Sequence, residues 1–404
     1  MGCIESTIDK EILRNMKFED IPYYYANDWN LFPPAIVKWL EQCVIKVGCK
    51  LIQSDNQSFM VDYVLVSRPG LYPTQPNRQT QDYYLLHDQL EKKHGVNPNT
   101  TLFFGVFDGH GPYGDKCSQF VASNLERQLD TCKTLYDDFP KNIKELLTNC
   151  DHMLENDIHA PKDEVINDHA SGTTACCLLI YKDQLICYNI GDSRCITGIQ
   201  DHNNIVAHPF TIDHNPNLPN ERERIYASGG CIETHGQRLG ITAKTDVFEY
   251  HHKCDGDPPR VWLKDRDFPG TAFTRSIGDR CAKSIGVCCD ADVFVHPMCS
   301  NVRYIALASD GVTEFMTNQE IMNIIAAEED PRENDSDDDE NDTLERAAMH
   351  IVVEAYRRWV LKEECTDDIT LFLLKIHSHS ARSYLTLNKM NFQIHINTSS
   401  SYLL

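Results

Sequence analysis

The stretch LFFGVFDGHG, residues 102–111, is the part of the sequence from which the fold is best inferred. Its first six residues are apolar or glycine and are typical of a buried strand. The strand ends at Asp108, and Gly109 lets the backbone turn sharply and approach a ligand closely. A carboxylate and backbone carbonyls at such a tip are ligands that Mg²⁺ and Mn²⁺ prefer. His110 adds a side chain that can transfer a proton near neutral pH.

Two later strand ends carry acids in the same way. An apolar run at residues 303–308 leads to Asp310, with Glu314 four residues further on, and Asp367 comes just before a second run at residues 369–376. The Asp108-Gly109 site, taken alone, also fits an ordinary Asp-Gly turn. Catalysis by a pair of metal ions needs several carboxylates at one end of a sheet. The repeated pattern therefore favours a metal centre.

A polar segment ahead of the first acid adds two candidates. Asp82 lies where this segment meets a strand, and it is a candidate metal ligand. Arg78 is a candidate phosphate-binding residue, because its planar guanidinium matches phosphate oxygens. Taken singly, each residue also fits a solvated turn.

The connection at Lys182-Asp183 indicates the sheet type. It separates an apolar run that ends at Tyr181 from a second run at residues 185–190. Parallel strands need long crossovers, so these two strands must be antiparallel. The sequence also lacks the G-x-G-x-x-G fingerprint, which argues further against a dinucleotide-binding parallel sheet.

Composition excludes several classes of protein. The 404 residues are 41% hydrophobic and 24% charged, as in globular proteins, and the net charge is −22. Because nucleic-acid phosphates need a basic surface, we expect no nucleic-acid partner. The 17 cysteines follow no disulfide framework and no secretory signal precedes them, so we interpret them as intracellular thiols. No apolar run is long enough to span a membrane.

The two ends of the chain differ from its middle. We divide it into an N-terminal extension (1–58), a catalytic domain (59–377) with an acidic loop insertion (328–345), and a C-terminal tail (378–404). The start MGCIES predicts N-myristoylation at Gly2 and a second acyl chain on Cys3, hence a cytoplasmic protein with a peripheral membrane anchor. An apolar stripe at helical spacing predicts a docking helix in this extension, formed by Ile36, Leu40, Val44 and Val47.

In the middle of the chain, residues 271–279 are expected to form a short helical or turn element.

Taken together, these motifs resemble those of the metal-dependent serine/threonine protein phosphatases of type 2C, especially plant and protist members. Eight short motifs carry the resemblance in the family's order between about residues 60 and 376. They are Gln81-Asp82, Phe107-Asp108-Gly109-His110-Gly111, Ser171-Gly172-Thr173-Thr174-Ala175, Gly191-Asp192-Ser193-Arg194, Gly229-Gly230, Ser276-Ile277-Gly278-Asp279, Ser309-Asp310-Gly311 and Asp367-Asp368.

The resemblance implies an α+β fold, a four-layer α-β-β-α sandwich of two antiparallel sheets flanked by helices. It also implies a binuclear Mn²⁺ or Mg²⁺ centre at one edge of the sandwich. Asp108 would bridge both ions, Asp310 and Asp367 would complete one site, and Asp82 with the Gly109 carbonyl would complete the other. A weaker third ion would involve Glu314 with Asp310, and Asp168 is a candidate partner.

A mechanism follows from these implied roles. A water held between the metals would attack phosphorus in line with the seryl or threonyl oxygen. Arg78 would stabilise charge on the phosphoryl oxygens, and His110 would protonate the leaving group. We interpret Asp192 and Arg194 as a buried turn pair rather than substrate contacts. The expected substrates are phosphorylated proteins, and the expected state is a monomer.

Two alternatives stay open at this point. The chain has Gln81 where many members of the family carry Glu, and a neutral ligand would hold the second metal more weakly. An inactive phosphatase-like scaffold protein is therefore one alternative, which metal affinity would test. An unrelated metal hydrolase such as a nuclease is the other, although the acidic charge opposes it.

Overall fold

Two antiparallel β-sheets form the middle of the structure, a computed structural model that describes residues 43–55, 57–72, 78–155, 166–243, 257–329, 340–363 and 365–378. The strands, in chain order, are β1 Val44–Gln53, β2 Ser58–Arg68, β3 Tyr83–His87, β4 Thr101–Phe107, β5 Gly109–His110, β6 Gly172–Thr173, β7 Ala175–Tyr181, β8 Gln184–Ile190, β9 Arg194–Asp201, β10 Asn204–Pro209, β11 Gly230–Glu233, β12 Arg260–Leu263, β13 Pro269–Thr271, β14 Ile277–Gly278, β15 Asp292–Pro297, β16 Val302–Ala308 and β17 Ile369–Ser378.

The helices lie mostly between these strands in sequence. They are α1 Leu90–His94, α2 Gly114–Thr131, α3 Phe139–Glu155, α4 Pro219–Ala227, α5 His235–Arg238, α6 Arg280–Lys283, α7 Asp310–Thr313, α8 Asn318–Glu329 and α9 Glu340–Glu363, and residues Asp168–Ala170 form a 3₁₀ turn. In the parts of the chain that the structure describes, none of these helices has the length and hydropathy of a membrane-spanning helix.

Sheet order gives the sandwich its shape. The first sheet has the order β1-β2-β17-β16-β9-β10 and the second has the order β15-β8-β7-β4-β3. Every strand pair in both sheets is antiparallel. Strands β7 and β8 form the hairpin predicted at Lys182-Asp183, with Tyr181 opposite Gln184.

The buried strand β4 shows how the four layers are held together. Phe104 and Val106 point into the core between the two sheets. Phe103 and Phe107 point the other way, into a core shared with α2 and α3. Because both faces are covered, all seven residues of β4 are buried, which explains its continuous apolar sequence. Helices α8 and α9 cover the outer face of the first sheet. The predicted α-β-β-α sandwich is confirmed.

The predicted helical stripe at the N-terminal end is wrong where the structure describes it. Val44 and Val47 lie in β1, which pairs with β2, so the first sheet begins before residue 59. Val44 and Val47 are three residues apart, a spacing that places them on one face of a helix but on opposite faces of the strand that forms. Ile36, Leu40, Gly2 and Cys3 lie outside the described residues.

Two other segments also differ from expectation. Residues 271–279, expected as a helical or turn element, contain the end of β13 and the short strand β14. The acidic segment 328–345 was expected to be a loop, but α8 continues to Glu329 and α9 begins at Glu340. Glu328, the penultimate residue of α8, is buried and ion-paired to Arg346 at 3.3 Å, which explains how an acidic residue is accommodated in a packed helix. Residues 330–339 lie outside the described part of the chain.

Candidate active site

A cleft of about 640 Å³ opens at one end of the sandwich, where the predicted acids come together. Asp108 follows β4 and Asp192 follows β8 of the second sheet. Asp310 follows β16 and Asp367 precedes β17 of the first sheet. Because β16 and β17 are antiparallel, the end of one lies beside the start of the other, and this brings Asp310 and Asp367 to the same edge.

The carboxylates of this cleft are buried close together and repel one another. Burial raises the pKa of Asp108 well above its usual range, and the neighbouring Asp310 and Asp82 raise it further. Burial also raises the pKa of Asp310, together with repulsion from Asp367 and Asp192. Such a cluster is stable as carboxylates only when cations neutralise it.

Asp82 lies behind the cleft wall rather than in it. Its side chain is buried, and one carboxylate oxygen accepts a hydrogen bond from Ser309 at 2.8 Å. The other oxygen, Oδ1, is buried without a hydrogen-bond partner among the described residues, and so is Oδ1 of Asp310. Unpartnered buried carboxylate oxygens are costly unless a ligand satisfies them. Both atoms are therefore suited to bind a cation.

The described side chains do not form a complete coordination shell by themselves. In the described ranges, no three His, Cys, Asp or Glu side chains lie close enough together to coordinate one metal ion. Mg²⁺ commonly keeps several waters and binds through only one or two carboxylates. The Gly109 carbonyl beside Asp108 offers a further oxygen in the wall of the cleft. The donor set thus fits hard, partly hydrated cations.

Asp192, rather than Asp168, stands beside Glu314. Asp192 and Glu314 both line the cleft, and burial followed by the Asp213 carboxylate raises the pKa of Asp192 to about 7. Asp168 is buried outside the residues that line the cleft, and it forms an ion pair with Arg280. The predicted pairing of Asp168 with Glu314 therefore does not form, because Arg280 holds that carboxylate elsewhere.

Arg194 has partners outside its own turn, and Asp192 lines the cleft. The Arg194 guanidinium binds Asp213 with its closest contact at 2.5 Å, and it also donates to Asn318 at 2.9 Å. This leaves the carboxylate of Asp192 to face the cleft. One turn therefore supplies a structural ion pair and a separate acid for the site.

Arg78 also lines the cleft. Its guanidinium lies 4.0 Å from the centre of the Tyr72 ring and donates to the side-chain oxygen of Gln81. The Tyr72 hydroxyl donates to Asp367 at 2.6 Å. The Gln81 amide donates to the Gly111 carbonyl at 2.7 Å. These contacts stiffen the arginine and link it to a predicted metal ligand.

His110 projects from β5 into the cleft, where it contacts Asp279 and Phe273. Its Nε2 lies 2.5 Å from a carboxylate oxygen of Asp279. Its ring packs on Phe273 with the ring centres 4.3 Å apart. The histidine is thus held in one orientation at the mouth of an acidic site.

An ion-pair network supports the turn that carries Asp192. His214 accepts a hydrogen bond from the Gly191 backbone at 3.1 Å and binds Asp292 through its other ring nitrogen at 3.1 Å. Arg275 joins Asp292 to the fully buried Glu221, each at 2.7 Å. Glu221 lies in α4, so this helix is tied to the cleft wall.

The chain matches a family model described as Protein phosphatase 2C over residues 75–361. The chain belongs to the protein phosphatase 2C family. It is 34% identical to the "Probable protein phosphatase 2C 35" of Arabidopsis thaliana over 326 residues, which cover 80% of this chain and 86% of that protein. It is 30% identical to the "Probable protein phosphatase 2C 73" of the same plant, over 69% of this chain and 72% of that protein.

Comparison of structures supports the same fold. The crystal structure of the serine-threonine phosphatase 2C from Toxoplasma gondii superposes with a TM-score of 0.59 at 18% sequence identity. The match covers 82% of this chain and 99% of that one. The predicted enzyme class, a protein serine/threonine phosphatase, is confirmed by membership of the protein phosphatase 2C family, and a nuclease is set aside.

Sequence reasoning missed several residues that line or support this phosphatase 2C cleft. Tyr72, Asp213 and Arg260 line it, and Asp279 both lines it and holds His110. Asp279 ends one of the eight motifs, and that was the only signal the sequence offered for it. The directions in which these side chains point depend on turns between strands, which spacing alone does not reveal.

Proposed function

We propose that this family member is an active, metal-dependent phosphatase that hydrolyses phosphoserine and phosphothreonine in proteins. The observation that carries the proposal is the pair of buried, unpartnered carboxylate oxygens on Asp82 and Asp310 beside Asp108. An inactive scaffold protein would have no use for such a costly arrangement, whereas Mn²⁺ or Mg²⁺ would satisfy it.

Five residues would hold the cations: Asp82, Asp108, Gly109 through its carbonyl, Asp310 and Asp367. Asp192 and Glu314 would contribute to a weaker third site in place of the predicted Asp168. When bound, these cations supply Lewis acidity and lower the pKa of water at the site.

The protein's own residues would perform the remaining tasks. Arg78, stacked on Tyr72, binds the non-bridging phosphate oxygens and stabilises their charge during transfer. The water oxygen forms the new bond to phosphorus, and the bond to the seryl or threonyl oxygen breaks. His110 then gives a proton to that oxygen, so that the free alcohol and inorganic phosphate leave.

The test is hydrolysis of a phosphothreonine peptide by the purified full chain. We expect turnover that rises with Mn²⁺ and disappears with EDTA, and Asp108→Asn should reduce it by at least about 10³-fold. Asp62→Asn, which changes a carboxylate paired with His377 away from the cleft, serves as the control. Absence of turnover in folded wild-type protein at any Mn²⁺ concentration would favour the scaffold alternative.

We also propose that Gly2 and Cys3 are acylated and that the chain acts as a monomer at a membrane surface. The acylation rests on the terminal sequence alone, and the monomer is the default expectation. Mass spectrometry of the protein from a eukaryotic host should show myristate on Gly2, and Gly2→Ala should abolish membrane association. An unmodified terminus would refute the anchor without affecting the catalytic proposal.

A further inference from the structure

We propose that Asp279 is the positioning residue that orients His110 for proton donation to the leaving oxygen. The proposal rests on the phosphatase function given above and deepens it. It starts from the contact of 2.5 Å between His110 Nε2 and Asp279, in which the aspartate is almost completely buried while the histidine remains open to the cleft. A hydrogen bond at Nε2 leaves Nδ1 as the nitrogen that can serve a substrate.

A small third sheet brings the two residues together. It has the order β14-β6-β5, in which His110 lies opposite Gly172 and Gly172 lies opposite Gly278. Asp279 follows Gly278 directly and reaches across the middle strand to the histidine ring. Three motifs that are far apart in sequence, those of His110, Gly172 and Gly278, therefore lie side by side on neighbouring strands of this sheet.

Gly172 is the residue that makes this reach feasible. A Cβ atom built on Gly172 would collide with the Asp279 carboxylate and with the Ile277 carbonyl. Any side chain at position 172 would therefore push the aspartate away from His110. The glycine is explained by this close approach.

The backbone of Asp279 is held in an unusual conformation. Its φ is +54°, in the left-handed region that side chains other than Asn, Asp and Gly rarely adopt. Its N–H donates to the Ser171 carbonyl at 2.9 Å, and the preceding Gly278 N–H donates to Asp151 at 2.8 Å. Two elements thus fix a strained turn, as is common where a side chain must be aimed at a site.

Neighbouring charges leave Asp279 to His110 in the part of the chain that the structure describes. There its carboxylate forms no ion pair with an arginine or lysine, although Arg280 and Lys283 follow it closely in sequence. Arg280 binds Asp168 instead, and Lys283 binds Asp151. The lysine and arginine of α6 are thus paired elsewhere, and the aspartate faces the imidazole.

The experiment compares two substrates that differ in their need for a proton. Nitrophenolate leaves from p-nitrophenyl phosphate as a stable anion, whereas a threonine alkoxide must be protonated. We expect Asp279→Asn to lower kcat on a phosphothreonine peptide by about 10- to 100-fold, and kcat on p-nitrophenyl phosphate by less than about 3-fold. Asn tolerates the positive φ and keeps the shape of Asp, so the backbone is preserved.

Four further variants make the result decisive. His110→Ala should show the same selective loss, and adding Asp279→Asn to it should cause no further loss, because both changes remove one function. Asp279→Gly, which also accepts the positive φ, replaces Asp279→Asn if the latter does not fold. Asp130→Asn removes the carboxylate from another imidazole pair, with His87 at 2.9 Å, and should leave kcat on both substrates unchanged.

The outcomes separate this proposal from the function on which it rests. Equal losses on both substrates in Asp279→Asn would show a merely structural role and overturn the proposal. If His110→Ala selectively lowers kcat on the phosphothreonine peptide but Asp279→Asn does not, the positioning role of Asp279 is also overturned. The role of His110 as general acid would then still hold. If His110→Ala itself shows no selectivity, the proton-donor role fails, and the positioning role fails with it.

Discussion

At the scale of single residues, Tyr72 links the two halves of the proposed chemistry. Its ring supports Arg78 and its hydroxyl donates to Asp367. Burial and the adjacent Asp367 raise the pKa of Tyr72 above its usual value, so the side chain stays protonated and remains a donor. The phosphate-binding arginine and one predicted metal ligand are therefore positioned by the same side chain.

Two substitutions at Tyr72 should separate these contributions. Tyr72→Phe keeps the ring and removes the hydrogen bond, so the Mn²⁺ concentration for half-maximal activity should rise by about 10-fold while KM changes little. Tyr72→Leu also removes the stacked ring, and KM should rise further by about 3- to 10-fold. Mn²⁺ activation curves and peptide KM values measure both effects. A change in KM alone for Tyr72→Phe would contradict the assignment.

Asp192 and Asp168 make a matched pair of aspartates with different predicted roles. Asp192 faces the cleft beside Glu314, whereas Asp168 is bound by Arg280. Asp192→Asn should therefore lower kcat by about 10-fold at limiting Mn²⁺, because it removes a charge from the cation site. Asp168→Asn should change kcat little, with thermal melting used to confirm folding. A larger loss of kcat in Asp168→Asn would restore the original expectation from the sequence.

At the scale of elements, the short helix α4 is fixed by the charge at its first turn. Glu221 is completely buried, and it accepts hydrogen bonds from Arg224, Arg275 and Thr274. Burial alone would raise the pKa of Glu221, but these donors together lower it to about 2. The folded state thus binds a proton at Glu221 less readily than the unfolded chain does.

This difference predicts how stability depends on pH. Because the folded pKa lies below the unfolded value of 4.5, Glu221 stabilises the fold above about pH 4.5, and the contribution fades as pH falls towards 2. Glu221→Gln should cost on the order of 3 kcal/mol in the free energy of unfolding at pH 7, with a smaller difference from wild type at pH 3. Urea unfolding at both pH values measures this.

The control for this prediction lies on the same helix. Glu223 is exposed, so Glu223→Gln should change the free energy of unfolding by less than about 0.5 kcal/mol at either pH. A constant difference between wild type and Glu221→Gln across this pH range would show that the carboxylate charge contributes nothing.

Strands were predicted well where both faces are buried. The run at residues 102–107 is apolar throughout because Phe104 packs between the sheets and Phe103 packs against helices. Val44 and Val47 are each almost half exposed on an edge strand, so they lacked the burial that makes periodicity informative. The short strand β14 was missed because its two residues are ordered by pairing with Gly172 and Thr173, which are distant in sequence.

At the scale of the whole molecule, the sandwich brings strand ends from both sheets, with their acidic residues, to one edge. The sequence located the acids at strand ends, and the structure brings Asp108, Asp310 and Asp367 together there. The sequence does not show where a side chain points when its direction depends on a turn. For this reason Asp168, and not Asp192, was named as the candidate for the third cation site. Antiparallel pairing explains why the three acids meet at one edge, and local turn geometry explains why Asp168 lies elsewhere.

The central claim is that these gathered carboxylates form a cation site, and calorimetric titration of metal-free protein with Mn²⁺ tests it most directly. We predict about two tightly bound cations per chain, with a rise in melting temperature on binding. Asp108→Asn should lose most of this binding, and Asp62→Asn should retain it. Equal Mn²⁺ affinity and stoichiometry in Asp108→Asn and wild type would contradict the account.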